Sequence, residues 1–459
     1  MKPAVSNIPH FVQDGIRKTA SKLNFGPQFT VDYDFRSGAN SSSCVSIIYR
    51  ITLREEPREV TLLCKGPLAG ANDTLLALFE REVYIYQQLL PAFGEFQREH
   101  GIEQTAEEFV FAPNCYYAYY DAKCREGILI LEDVSRRLFG DRSRFGATDY
   151  DHGRLVMVQL GRLHAVSLAL KEQHPKLFGR FQQLGDVTKE QVLAMDEFKS
   201  VMDLSFDQAI ATLNVHETAK KEKLAKLKRS FVEDLRAIGD GEQSEPFCVV
   251  CHGDYSGSNF MYNYNSGFPN RMVILDWQLA KYGSPAVDFL HFMFLSTDES
   301  FRRLHYDNML QTYHGALRDH LERLGEHNAT ERFPLTTLMR LIRSQAKYAA
   351  TLAVLQIPMT IVSARIDSRE DEPGVSGGTE LKYQTQMNGQ IIHSKDTYHF
   401  SGRTVSCRSI SQLCRKRSPC PSWISPVIWT AQGVTVDLSC SGKRFQSWTT
   451  QAATMDHSC

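Results

Sequence analysis

The chain has 459 residues, eleven cysteines and 52 Lys+Arg against 53 Asp+Glu, giving a net charge of -1 with 42% hydrophobic and 23% charged residues. That length suits two or three domain-sized units with a sizeable core, and the charge balance excludes a general electrostatic attraction to nucleic acid or an anionic membrane. The start, MKPAVSNIPHFVQDGIRK, has no apolar signal-like run, and nowhere do 18 apolar residues follow one another, so a soluble, cytoplasmic protein without a membrane span is expected.

From Val31 to about Val134 the text is strand-rich. Cys44–Leu53 (CVSIIYRITL) and Val60–Lys65 (VTLLCK) read as neighbouring strands joined by the polar turn REEPRE. A helix is expected from Thr74 to Leu90, with Leu75, Leu78, Phe79, Val83 and Tyr86 at 3–4 spacing and Pro91 as its stop. Ile128–Leu131, ending in Glu132 and Asp133, suits a buried strand that leads out of one lobe. From about Tyr150 to Val362 the pattern is helical. Val156, Leu160, Leu163, His164 and Leu168 mark one helix, Leu224, Leu227, Phe231 and Leu235 a second, and Pro334–Leu355 a third, with Leu338, Leu341, Ile342, Tyr348 and Leu352 inward. The basic run Lys220–Arg229 reads as a solvated helix face, and a β-like island lies at Phe247–Ala280.

The last stretch, 371–459, holds thirteen serines, five of the eleven cysteines and three of the four tryptophans without a sustained pattern. It reads as an atypical tail, either a poorly ordered extension or aberrantly translated sequence. The expected division is an ATP-binding lobe at 1–130, a helical catalytic and substrate lobe at 131–370, and this tail. In a reducing compartment the thiols stay free, and Cys248-x-x-Cys251 reads as structural because no second ligand pair accompanies it. The N-x-[ST] triplets at Asn40, Asn72 and Asn328 carry no message without secretion.

Chemistry concentrates in Val249–Asp298. His252-Gly253-Asp254 is followed by Asn259, five residues after the Asp, and then by Asp276 at the end of the apolar run Met272–Leu275. This is the H-x-D-x-x-x-x-N arrangement of phosphoryl transfer, followed by an Asp at a strand end. Such transfer needs a hydroxyl aimed at the γ-phosphate and cations that neutralise its oxygens. Asp254 suits the first task, while Asn259 and Asp276 suit Mg²⁺ ligation. His252 suits bracing of the loop rather than proton transfer. Lys65 closes its strand and Glu82 lies in the next helix, as expected for an ammonium that pairs with the ATP phosphates and is positioned by a helix carboxylate.

With these residues in hand, the sequence resembles the ecdysteroid kinase-like family of insects, within the aminoglycoside phosphotransferase and choline kinase group. The matching text is SIIYRI (Ser46–Ile51), LLCKGPL (Leu62–Leu68), F-x-x-E-x-x-x-Y (Phe79, Glu82, Tyr86), LILEDV (Leu129–Val134), LGRLHAVSLAL (Leu160–Leu170), HGDYSGSNFMY (His252–Tyr262) and LDWQLAKYGSPAVDFLHF (Leu275–Phe292). The resemblance implies an α+β, protein kinase-like two-lobed fold with a β-rich N-lobe and a mainly helical C-lobe. It implies ATP in the cleft, with adenine on backbone groups near Glu132 to Val134, and an ecdysteroid or a xenobiotic alcohol as phosphate acceptor. Alternatives are a kinase for a choline-like or other small alcohol, a nucleotide-binding pseudokinase, and a damaged gene product that folds poorly.

A small-molecule substrate also has a residue-level argument. Gly253 stands where protein kinases carry Arg, and Asp276-Trp277-Gln278 where they carry D-F-G. Ser284-Pro285 already signals a new helix, with Ser as cap and Pro at its first position, leaving too little chain for an activation segment. His164 reads as a satisfied core histidine, Asp288 as a support for the catalytic loop or helix start, and Trp277 as packing; Gln278 is a family signature without a derived role. The phosphate-covering loop, Gly38-Ala39-Asn40 and then Ser41–Val45, is a few residues longer than the family's.

Overall fold

The computed structural model describes residues 8–34, 46–102, 111–137, 139–141, 148–187, 196–238, 244–367, 428–431 and 434–437. The expected phosphate loop and, two short strands apart, the 371–459 tail lie outside the described residues. By contacts the chain divides into one unit of 1–192 with 238–345 and a second of 193–237 with 346–459, a partition that does not follow the expected lobes because the first unit holds both the sheet and much of the helical half.

The first unit begins with α1 (His10–Lys22), followed by β1 (Thr30–Asp34), β2 (Ser46–Glu55) and β3 (Arg58–Pro67). After α2 (Asp73–Tyr84) and α3 (Leu90–Glu99), β4 (Cys115–Asp121) and β5 (Glu126–Glu132) complete an antiparallel five-stranded sheet of order β1-β2-β3-β5-β4. Because side chains alternate along a strand, Leu62 and Cys64 point to one face and Leu63 and Lys65 to the other. The first face, with Ile51, Leu53, Ile128 and Ile130, is buried under Val12, Ile16 and Ala20 of α1. The opposite face carries Lys65, in register with Ile48 on β2 and Leu129 on β5.

Pro91 does not stop the helical path. A π-helical turn over Ile85–Leu89 ends α2, and Pro91 falls in the first turn of α3. Proline has no N–H to return to the preceding turn, and just before it the Leu90 amide reaches back five residues to the Ile85 carbonyl. Asn72 caps α2 by accepting from the Leu75 amide at 2.9 Å, a structural use for one of the glycosylation-like triplets.

The helical part of this unit is built on α4 (Tyr150–Gln173), with the short α5 (Pro175–Phe178) after it. The second unit supplies α6 (Asp196–Ala211) and most of α7 (Thr218–Ile238). Phe206 packs tilted against Phe231 there at 5.8 Å, and Lys228 pairs with Asp207 at 2.7 Å, so the basic face is partly neutralised. Back in the first unit come β6 (Gly140–Asp141), β7 (Val249–Cys251), β8 (Phe260–Asn265), β9 (Phe268–Ile274), β10 (Lys281–Gly283), α8 (Ala286–Leu295), α9 (Glu299–Arg323) and α10 (Ala329–Arg332). Helix α11 (Leu335–Asp367) buries Leu338, Leu341, Ile342, Tyr348 and Leu352, the residues its periodicity selects. Helices α4 and α9 touch at Gly161, where a Cβ would lie 2.5 Å from the Tyr313 carbonyl. In the second unit, β11 (Ile428–Ala431) and β12 (Val434–Asp437) form a hairpin, a local order the tail's composition does not announce.

Helix α8 starts one residue later than expected. Pro285 is its N-cap and Ala286 its first residue; the Ser284 carbonyl, not its hydroxyl, takes the first bond, from the Val287 amide at 3.0 Å. Cys248, just before β7, and Cys251, its last residue, are free, and burial pushes the Cys248 thiol up to about 12 and that of Cys251 well above its ordinary value, so neither has thiolate character. No helix among the described residues is long and apolar enough to cross a membrane.

Candidate active site

Lys65 is presented by the centre of the sheet on the face opposite α1, and its side chain is 5% exposed. Its Nζ lies 2.7 Å from Glu82 Oε2 and 2.5 Å from Asp276 Oδ1, joining three segments far apart in sequence. Burial alone would lower the Lys65 pKa, but the charges of Asp276 and Glu82 hold it above its ordinary value. Burial also raises Glu82, with Lys65 pulling the other way and Asp276 adding to the rise. The two directions favour opposite protonation of one pair; with two carboxylates within 2.7 Å of a single ammonium, the charged Lys65 is the side the geometry supports.

Helix α2 delivers Glu82 from its last turn, where Phe79, Glu82 and Val83 are all buried. Asp276 follows β9 in the left-handed region, φ 58° and ψ 64°, and opens the 3-10 turn Trp277–Leu279. Asp tolerates that region better than most residues, and such a backbone persists only where its surroundings enforce it. The enforcement is visible. Trp277 is fully buried and donates its indole N–H to the Ile274 carbonyl at 3.3 Å.

The loop after β7 is held by Asp288 on α8. Its carboxylate accepts the His252 amide at 2.6 Å and the Gly253 amide at 2.9 Å, and it faces His164 Nε2 at 3.3 Å. Burial opposes ionisation of Asp288, but the hydrogen bond from His164 and the charges of His164, His252 and His291 lower it to about 2. His164 is in turn bonded to the Tyr313 hydroxyl at 2.8 Å, so it is the satisfied core histidine its helix position suggests. Gly253 adopts φ 84°, and a Cβ there would lie 2.0 Å from the Leu279 carbonyl oxygen. No other residue fits without moving the turn that follows Asp276.

His252 uses both ring nitrogens within the protein. Nε2 donates to the Leu275 carbonyl at 2.8 Å, so Nδ1 accepts the Asp254 amide at 3.3 Å, and the ring meets Trp277 edge-on at 4.8 Å. Asp254 is partly exposed. Asn259 Nδ2 donates to the Asp254 carbonyl and to Asp254 Oδ2, both at 2.9 Å, leaving Asp254 Oδ1 for a substrate hydroxyl and Asn259 Oδ1 for a cation. The Leu275 amide donates to the Asn259 carbonyl at 2.8 Å, which ties Asn259 to the residue before Asp276. Carboxylate and amide oxygens are the donors a hard divalent cation takes, and the Lys65 ammonium on Asp276 Oδ1 shows that this carboxylate accepts a positive charge.

Glu132 and Val134 stand where β5 leaves the sheet. The Glu132 amide is already used by the Asn114 carbonyl at 2.8 Å, and its side chain by Asn114 Nδ2 at 2.9 Å and Arg137 at 3.1 Å. A base can therefore use the Glu132 carbonyl but not its amide or carboxylate. Val134 is buried with Phe139 and Val273. Between them Asp133, its carboxylate 1% exposed, accepts Arg50 Nε at 2.9 Å and the Ser135 hydroxyl at 2.6 Å. Arg50 and Asp133 stand inside two of the motif blocks, yet the sequence assigns neither a task, because a pair 83 residues apart shows no spacing signal. Sequence reasoning also passes over α1, whose apolar residues at 3–4 spacing were a readable sign, and Arg81, beside Glu82.

Residues 41–326 match the model of the ecdysteroid kinase-like family. No curated protein matches. Among solved structures the chain is similar to a Plasmodium vivax ethanolamine kinase, at 14% identity over 80% of this chain and 91% of that one with a TM-score of 0.40. It is also similar to an aminoglycoside 2'-phosphotransferase-IIIa in complex with GDP, at 12% identity over 79% and 100% with a TM-score of 0.34. A third is a microcompartment-associated aminopropanol kinase, at 11% over 77% and 96% with a TM-score of 0.34. With strands β2 to β5, the His252–Asn259 loop and Asp276 all inside the matched stretch, the chain belongs to the ecdysteroid kinase-like family.

Proposed function

We propose that this protein is an ATP- and Mg²⁺-dependent small-molecule kinase that transfers the γ-phosphoryl group to an alcohol, with an ecdysteroid or a xenobiotic alcohol as acceptor. The observation that carries the reading is the convergence of Lys65, from the sheet, on Glu82 and Asp276 at 2.7 and 2.5 Å. It supports a role for Lys65 in holding the ATP phosphates, with Glu82 fixing the direction of its side chain.

Asp254 would accept the hydrogen bond of the acceptor hydroxyl through Oδ1 and take its proton as the oxygen attacks the γ-phosphorus. The carboxylate is oriented by Asn259, whose Nδ2 donates to Oδ2. His252, spent on the Leu275 carbonyl and the Asp254 amide, acts by position. Asn259 and Asp276 would hold Mg²⁺, which neutralises phosphate oxygens when bound. The adenine would rest on the Glu132 carbonyl and the backbone at Val134. Gly253 supports the small-molecule reading: the space an Arg would need to read a phosphorylated activation segment is filled by Leu279.

The test is transfer of label from [γ-³²P]ATP by the full chain, with Mg²⁺, to a panel of ecdysteroids, other sterols and small amino alcohols, with Asp254→Asn alongside. The expected result is a labelled phosphomonoester with a polyhydroxylated sterol, lost in Asp254→Asn. Label passing only to an amino alcohol would replace the substrate class, and nucleotide binding without transfer to any alcohol would make the protein a pseudokinase.

A further inference from the structure

Arg81 and Glu82 are neighbours on α2, and both reach the turn that follows Asp276. The Glu82 carboxylate reaches Asp276, which opens the turn, through Lys65 Nζ, 2.7 Å from Glu82 Oε2 and 2.5 Å from Asp276 Oδ1. Arg81 Nη1 donates to the Ala280 carbonyl at its end, at 2.6 Å, and to the Gly185 carbonyl at 2.9 Å. Successive residues on an α-helix point about 100° apart, so two neighbours can hold one turn only if it wraps across the helix. Rotation of α2 about its axis in either direction breaks one of the two grips. The same turn is pressed from its other side by Gly253, which leaves no room for a Cβ against Leu279.

In protein kinases the helix carrying the pairing Glu is positioned by a phosphorylated activation segment. Here only seven residues separate Asp276 from Ser284, so the helix needs a fixed anchor of its own. We propose that Arg81 is this anchor: a positioning residue that, with Glu82, clasps the Trp277–Leu279 turn and thereby presets the Asp276 carboxylate for a divalent cation before nucleotide arrives. The left-handed backbone of Asp276 is the conformation the clasp maintains. Arg81 acts through the turn, and the inference rests on the phosphotransfer reading above.

The experiment measures metal and nucleotide separately on the full chain. AMP-PNP affinity is measured by calorimetry in EDTA, and Mn²⁺ affinity of the AMP-PNP complex by electron paramagnetic resonance, for the wild type, Arg81→Met, Arg81→Lys and Asp276→Asn. Arg81→Met is expected to bind Mn²⁺ roughly tenfold more weakly, the equivalent of about 1.4 kcal/mol, with metal-free AMP-PNP affinity within about twofold of wild type. Arg81→Lys, whose ammonium still donates but from a shorter side chain, should fall between, and it decides the matter should Arg81→Met fail to fold. Mn²⁺ affinity within about twofold of wild type in both variants, or equal losses of metal-free nucleotide and metal, overturns the anchor. A wild type that binds AMP-PNP but no Mn²⁺ overturns the phosphotransfer reading itself.

Discussion

Gly253→Ala is the substitution for which the geometry gives the sharpest expectation. An alanine there meets two independent penalties. Its φ of 84° lies in the left-handed half of backbone space, which costs an L-residue about 1–2 kcal/mol. Its Cβ would also stand 2.0 Å from the Leu279 carbonyl oxygen, where real contacts do not fall below 3.0 Å, so the turn must retreat by at least 1.0 Å. Forced repacking of that kind costs roughly 1–3 kcal/mol, giving a combined loss of about 2–5 kcal/mol. Leu279 lies three residues after Asp276, so the retreat also moves the candidate metal carboxylate, and displacements near 1 Å can cost about 10²-fold in rate. Urea denaturation followed by circular dichroism gives the stability change, and label transfer from ATP gives the rate. A Gly253→Ala protein within about 0.5 kcal/mol of wild type would refute the steric argument. Full stability loss with an unchanged rate would refute the link from Leu279 to Asp276.

Lys65→Met should unpair the buried Glu82 and cost about 3–5 kcal/mol in urea unfolding, together with loss of nucleotide binding by calorimetry. Rescue of stability, but not of binding, by adding Glu82→Gln would separate the two roles. Asp288→Asn keeps one acceptor oxygen for two amides and should destabilise the loop by about 2–4 kcal/mol at pH 7. The Asp288 pKa is depressed in the fold, so its contribution is present above the unfolded carboxylate range and is lost as pH falls toward about 2. The gap between wild type and Asp288→Asn should therefore narrow as pH falls from about 4 to 2, and a gap constant over that window would contradict the assignment. Arg50→Ala removes the closest charge partner of Asp133, next to the backbone proposed to carry adenine, and should weaken AMP-PNP binding roughly tenfold, with Arg50→Ala/Asp133→Asn recovering part of the loss.

Much of the candidate site was legible because its H-x-D-x-x-x-x-N spacing runs along one loop. His252, Asp254 and Asn259 lie within eight residues, and β9 leads from them back to Asp276. Strand alternation likewise separates the Lys65 face from the Cys64 face through the two-residue period of side-chain direction. The path through Pro91 was misjudged because a helix breaker and the first turn of a new helix look alike when a π-turn precedes them. The start of α8 was misplaced by one residue because Ser-Pro signals a cap wherever its carbonyl can do the same work.

The sequence by itself determined which residue types stand at phosphotransfer spacing and how few residues separate Asp276 from Ser284. It could do so because these depend on spacing within one element or one loop. Only the tertiary structure decided that Arg50 reaches Asp133, that Arg81 and Glu82 share one turn, and that Asp288 holds the catalytic loop by two amides while His164 and Tyr313 hold Asp288. These partners are 83, 199, 36, 124 and 149 residues apart for Arg50–Asp133, Arg81–Ala280, His252–Asp288, His164–Asp288 and His164–Tyr313. Hydrogen bonds and steric contacts act over a few ångströms in space, and sequence periodicity carries no record of which distant segments the fold brings within that reach.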